Sequence, residues 1–219
     1  CNHNGTPVLP PDINSSNAEF TPVKDGIRFG LVGVRGVGRN VADAIIAERE
    51  ENGPFTSLHD FVNRVDAKCF NRKTLEALIK GGAFDSTGYP RRQLMEFVDK
   101  NNPANIIDAA TKRQKDRAAG QSSMFDLFGD VEGAGFEDEA PEPSPVEWDR
   151  TLKLAQEREV LGLYISDHPL RPYEYALSKA RDYTLGEVLN GYEKTSVTGE
   201  VHHVDVGGEK PFWVAGMVS

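Results

Sequence analysis

The chain has 219 residues, 38% hydrophobic content and a formal net charge of −9, enough apolar material for one core or two small ones with room for unstructured segments. Its two cysteines, Cys1 and Cys69, lack disulfide-framework or metal-ligand spacing, so a reducing, cytoplasmic setting is the expectation. No apolar run reaches the ~18 residues of a membrane span, and the start lacks the pattern of a signal peptide.

The acidic total hides an asymmetry. Residues 24–117 carry 17 Lys and Arg against 13 Asp and Glu, whereas residues 126–219 carry 8 against 19. Phosphate binding draws on clustered cations, so the front half is the part suited to nucleic acid. The chain opens on "CNHNG" and closes on "FWVAGMVS", which reads as mid-strand, so an excised segment is expected. A lipidated Cys1 is the alternative reading of that start.

Residues 1–26, with "TPVLPPDINSSN", favour extended segments and turns and read as a lead-in. From Ile27 to about Asp85 apolar residues recur at helical spacing, as in Val41, Ala44 and Ile45 and again in Leu75, Leu78 and Ile79. Four short helices are expected there, one starting at a Thr56 or Ser57 N-cap ahead of Leu58, Phe61, Val62 and Val65. "YPRRQLMEFVDK" and "ANIIDAATKRQKDRAAG" read as two further helices that complete a helical domain over 27–120. Residues 129–147, rich in Gly, Pro and acid, have almost nothing to bury and read as a flexible linker. "WDRTLKLAQEREVLGLYI" then gives a helix within 148–182, stopped by the proline of "SDHPL". In 183–219, "SVTGEVHHVDVGGEKPFWVAGMV" alternates and reads as a hairpin with a Gly-Gly turn. The fold class is mainly α, with a short β segment at the end.

The stretch "GVRGVG" (33–38) joins the apolar "IRFGLV" to the helical "RNVADAII". A helix N-terminus carries orphan amides and the positive end of the helix dipole, and glycines let a ligand reach that backbone. Val34, Gly36, Val37 and Gly38 are the expected amide donors to a phosphate, with Arg35 and Arg39 adding attraction from the flanks. The competing reading is that these glycines serve only a tight, closely packed turn. A dinucleotide loop is excluded, because the strand, the glycine spacing and the ribose acid are missing. The arrangement resembles the helix-hairpin-helix motif, which binds duplex DNA without sequence preference. "FVNRVDAKCFNRKTLEALI" resembles a second copy whose apex, 66–71, has no glycine. Its phosphate role rests on Lys68, Arg72 and Lys73 around a helix start near Asn71, and a structural partner role is the equal alternative.

"GQSSMFDLFG" (120–129) places Met124, Phe125, Leu127 and Phe128 in a context too polar to form a core. They either fold back on the helical unit or dock in a partner's groove. Gln121, Ser122, Ser123, Met124 and Phe125 resemble, position by position, the pentapeptide by which bacterial polymerases bind the sliding clamp.

Together "VLPPDIN", "IRFGLVGVRGVG", "NRKTLEALIKGGAFDSTG", "QSSMFDLFG" and "EREVLGLYISDHPL" stand in the order found in the C-family replicative polymerases of bacteria, the polymerase III alpha subunits. The resemblance runs from about Val8 to Leu170, with Asp167 at a position where glycine is expected. It implies the end of the fingers over 1–26, a tandem helix-hairpin-helix domain over 27–120, a clamp-binding peptide within 121–128 and the approach to a truncated OB-fold. It implies primer-template DNA, the sliding clamp and other holoenzyme subunits as partners, no membrane, and a parent that is a DNA-directed DNA polymerase. The Mg-binding palm lies outside these residues, so no cofactor is expected here.

The residues themselves suggest no catalysis. His202 and His203 alternate on a strand and face opposite ways, and His3, His59 and His168 have no partner at ligand spacing. Glu157 and Glu159 read as a solvated helix face and Glu137–Glu139 as part of the acidic run. Two other classes stay open: a DNA-repair helix-hairpin-helix enzyme, marked by a base-sized pocket, and a non-enzymatic scaffold.

Overall fold

The computed structural model describes residues 6–102, 105–118, 142–181, 192–195 and 201–204. These fall into two units that divide after Ser166.

The first unit begins with the lead-in, which is part of the core. Pro10 and Pro11 end β1 (Val8–Leu9), and the Asp12 carboxylate accepts from the amides of Asn14 and Ser15 to form a turn. That turn delivers Ile13 to full burial, where its amide donates to Ala83 O at 2.9 Å. β2 (Thr21–Val23) and β3 (Gly26–Arg28) complete a three-stranded sheet of order β1-β3-β2, parallel between β1 and β3 and antiparallel between β3 and β2. The helical pattern expected from Ile27 therefore starts later than its sequence suggests. Leu31 and Val32 donate to Asn17 O and Ala18 O, and a Cβ at Gly30 would strike the Glu19 backbone. Such close backbone pairing holds residues 26–30 extended, and a single 3-10 turn (Leu31–Gly33) stands where the first of four helices was expected.

Three α-helices follow. α1 (Arg39–Asn52) buries Val41, Ala42 and Ile45. α2 (Leu58–Arg64) starts at Ser57, whose hydroxyl accepts from the Asp60 amide. α3 (Arg72–Lys80) starts at Asn71, whose side chain accepts from the Thr74 amide. Arg64 ties α1 to α2, reaching Glu48, Asp60 and Gly53 O from over the Phe55 ring. The core gathers around Phe61, Phe84, Leu58, Leu75, Leu78 and Ile79, all fully buried. Both expected outer helices form as α4 (Arg91–Val98) and α5 (Ile106–Ala118). Gln114 of α5 binds Val62 O, Val65 O and the Ala67 amide, fixing α5 beside the end of α2.

Residues 142–147 fall inside the segment expected to be a flexible linker, yet they are pinned to α4. Gln93 donates to Glu142 O and accepts from the Ser144 amide, and Glu147 accepts from the amides of Arg91 and Arg92. α4 has Pro90 at its N-cap position and no cap of its own, so Glu147 supplies one from 56 residues away. The remainder of that segment, 129–141, lies outside the described residues.

α6 (Arg150–Leu161) starts at an Asp149 cap and ends at Gly162, in the left-handed region at φ 77°. That glycine, rather than the later proline, stops the helix. Glu157, expected on a solvated face, is fully buried: it accepts from the amide and hydroxyl of Ser166 at 2.9 and 2.6 Å. Its donors arrive when the chain folds back after Gly162. Glu159 is exposed and pairs with Lys80.

The second unit holds a 3-10 turn (Arg171–Tyr173), α7 (Glu174–Ala180) and an antiparallel pair, β4 (Tyr192–Thr195) with β5 (Val201–Val204). Asp167 accepts from Arg171 in this unit. The two described strands bracket residues 196–200, and the hairpin turn expected at Gly207–Gly208 lies outside the described residues. His202 and His203 are successive residues of β5, as expected.

Candidate nucleic-acid interface

The loop between the 3-10 turn and α1 is exposed at Arg35, Gly36, Gly38, Arg39 and Asn40, while Val34 and Val37 are buried. Not all of the expected donors are available. Val34 N donates to Leu31 O and Val37 N to Val34 O, so both amides serve the loop itself, because their apolar side chains turn inward and carry the amides with them. Arg35 N donates to Val160 O at 2.8 Å. Among the described residues, the amides of Gly36, Gly38, Arg39 and Asn40 have no acceptor. Asn40 was missed by sequence reasoning, although a helix starting at Arg39 leaves its first amides open.

The two glycines have different causes. Gly36 has φ +92°, which a side chain strains. Gly38 has φ −82° and ψ 162°, ordinary extended backbone, and a Cβ there would meet no heavy atom within 4 Å. A Cβ at Gly36 would meet only Ala77, at 3.9 Å. Close packing therefore explains neither. α2, α3 and α6 are each capped by their own Ser57, Asn71 or Asp149, whereas α1 has no side-chain cap. Its amides are left open to solvent.

The apex is held from below and from behind. Thr74 Oγ1 donates to Gly36 O at 3.3 Å, placing the first turn of α3, with Arg72 and Lys73, next to the loop. The Val160 carbonyl near the end of α6 holds Arg35 in place. Neither support was legible from local patterns. Of the flanking cations, Arg39 pairs with Glu19 and Asp43, and the exposed Arg35 has no side-chain partner among the described residues.

The second expected hairpin forms between α2 and α3 with a different chemistry at its apex. Asn71 fills the N-terminus of α3 with its own side chain, leaving exposed Lys68 and Lys73 and half-buried Arg72 as its cations. Gln121, Ser122, Ser123, Met124 and Phe125 lie outside the described residues. Among the described residues, no three His, Cys, Asp or Glu are placed to hold a metal, and no helix is long and apolar enough to cross a membrane.

An open, glycine-lined loop feeding an uncapped helix, backed by a second helix pair, defines a helix-hairpin-helix unit, and a family model described as the helix-hairpin-helix motif matches residues 5–94. The chain is 37% identical over its whole length to DNA polymerase III subunit alpha of Saccharopolyspora erythraea. It is 40% identical over 87% of its length to the subunit of that name in Mycobacterium leprae, and 41% over 79% to that of Neisseria meningitidis serogroup B. It covers 17%, 16% and 14% of those proteins. The chain belongs to the DNA polymerase III alpha-subunit family and spans about one sixth of the length of the relatives it matches.

Proposed function

We propose that this chain is the duplex-holding and clamp-tethering part of a cytoplasmic replicative DNA polymerase. One observation carries the first half: Gly38 is required by neither backbone conformation nor packing, which leaves close approach of a ligand to the amides around it as its use. The non-bridging oxygens of one backbone phosphate would accept from the amides of Gly38, Arg39 and Asn40, with Arg35 adding screened attraction. Phosphates are alike at every base pair, so such a grip lets the duplex pass in any register, as a polymerase that advances along DNA requires. Lys68, Arg72 and Lys73 would extend the contact.

The second half rests on the residue pattern Gln121 to Phe125 together with family membership. A peptide held by the clamp keeps the polymerase near the primer terminus and raises its effective concentration there. Nucleotidyl transfer, its Mg and the other holoenzyme subunits belong to the rest of such a polymerase.

The test is a titration of the chain with labelled blunt duplexes of two unrelated sequences over a range of low salt, beside its binding to a bacterial sliding clamp. The reading expects equal affinity for both sequences, a log-log salt slope of about −0.9 per phosphate neutralised, and clamp binding that is lost when Gln121, Met124 and Phe125 are changed to Ala. Sequence-dependent affinity overturns the hairpin role, and clamp binding unchanged in the triple variant overturns the tether.

A further inference from the structure

Beside the hairpin, α3, α4 and Trp148 enclose a groove of about 540 Å³, a size within the ~300–1,000 Å³ of small-ligand sites. Arg72 and Lys73 form one wall, Lys100 the other, and Met95 and Trp148 contribute apolar surface. Four cations, Arg72, Lys73, Arg92 and Lys100, line the groove against three acids, Glu76, Glu96 and Asp99. Arg72 lines the groove, and its Nη1 is buried from solvent without a hydrogen-bond partner. Exposed Lys73 and Lys100 have no ion pair among the described residues. The acids nearby are mostly engaged: Glu96 pairs with Arg92, and Asp99 accepts from the amide and side chain of Asn101. Glu76 and Asp99 are the lining acids without an ion pair among the described residues, against three such cations, Arg72, Lys73 and Lys100.

We infer that this groove binds a nucleotide of single-stranded DNA, its phosphate on Arg72, Lys73 and Lys100 and its base on Trp148 and Met95. Cations that track a backbone beside an aromatic ring are what an unpaired strand needs, and every base offers a π-face. A blunt duplex offers no such face along its length, so the occupant is an unpaired stretch. Its place follows from the fold: Arg72 and Lys73 precede Thr74, whose hydroxyl donates to Gly36 O at the hairpin apex, so the groove and the hairpin share the first turn of α3. The inference deepens the duplex-holding reading and rests on it for the source of the strand.

Trp148 provides the readout. The chain has two tryptophans, so Trp213→Phe leaves Trp148 as the sole emitter. A 12-nucleotide oligo-dT is titrated into that full-length variant at low salt, with a blunt duplex titrated in parallel. The expected result is quenching of Trp148 by oligo-dT, and oligo-dT affinity at least 10-fold weaker in Trp148→Leu and 3-fold or more weaker in Lys100→Gln, with blunt-duplex affinity within 2-fold. Lys100 is exposed, so its variant keeps the test valid should Trp148→Leu fail to fold. Oligo-dT binding without quenching, or with unchanged affinity in Lys100→Gln, overturns the groove. Gly38→Asp in the same titrations separates the failures: lost blunt-duplex binding with intact quenching keeps both sites, whereas unchanged duplex binding overturns the hairpin reading alone.

Discussion

The amide of Arg35 donates to the carbonyl of Val160 at 2.8 Å, joining the apex of the hairpin to the end of a helix 125 residues further along the chain. α6 also packs against α3, where a Cβ at Gly81 would stand 3.2 Å from Leu161, and Lys80 pairs with Glu159. The hairpin loop is thus shaped by residues well beyond the 5–94 that match the helix-hairpin-helix model.

Disturbing the end of α6 should be felt at the apex. Gly162→Val places a side chain at φ 77°, costing about 1–2 kcal/mol. Hydrogen exchange should show Arg35 protected in the parent despite its exposed loop, faster in the variant, and duplex affinity should fall with it. Protection lost without any change in affinity would separate the two.

Arg91 is 1% exposed, forks onto both Asp85 oxygens and donates to Lys80 O, and a Cβ at Gly82 would strike its guanidinium. Arg91→Lys keeps the charge and loses the planar fork. A loss of about 2–3 kcal/mol is expected in urea unfolding, and Gly82→Ala should destabilise through the same contact and its φ of +83°.

Glu147 carries the pH prediction. Burial alone would raise its pKa, but the amides of Trp148, Arg92 and Arg91, with Lys153, outweigh that and hold it below the ordinary carboxylate value. A lowered carboxylate stabilises the fold above its unfolded pKa and loses that contribution as pH falls through the native value. Stability should therefore drop as acid is added below about pH 4.5, and Glu147→Gln should remove part of that dependence along with about 1 kcal/mol of capping at neutral pH.

Among the described residues the buried Glu157 carboxylate accepts from Ser166 alone, one oxygen from its amide and the other from its hydroxyl. Ser166→Ala leaves a buried oxygen without its donor and should cost about 1–3 kcal/mol in thermal or urea unfolding.

Helices with their own punctuation were legible in the sequence. Ser57, Asn71 and the apolar stripes of α2 and α3 announce themselves locally, as does the glycine-lined loop before α1. What escaped depends on partners distant in sequence. The Glu147 cap, the buried Arg91 and Glu157, and the pinning of residues 142–147 look like surface charge and linker until the fold brings their partners to them. The 3-10 turn in place of a helix has the same origin, since pairing with residues 17 and 18 overrides a local helical pattern. At the site, spacing identified the loop, but which amides remain open depends on how Val34 and Val37 turn inward.

The most direct measurement is the affinity of Gly38→Asp for a blunt duplex at low salt, taken beside its thermal unfolding. Aspartate is a better N-cap than glycine by a few tenths of a kcal/mol, and position 38 has the conformation and the space for it. The account predicts a protein at least as stable as the parent whose duplex affinity falls 10-fold or more, because the carboxylate takes the amides and repels the phosphate. Equal stability with unchanged affinity would contradict it: the open amides of α1 would then not be where the DNA backbone is held.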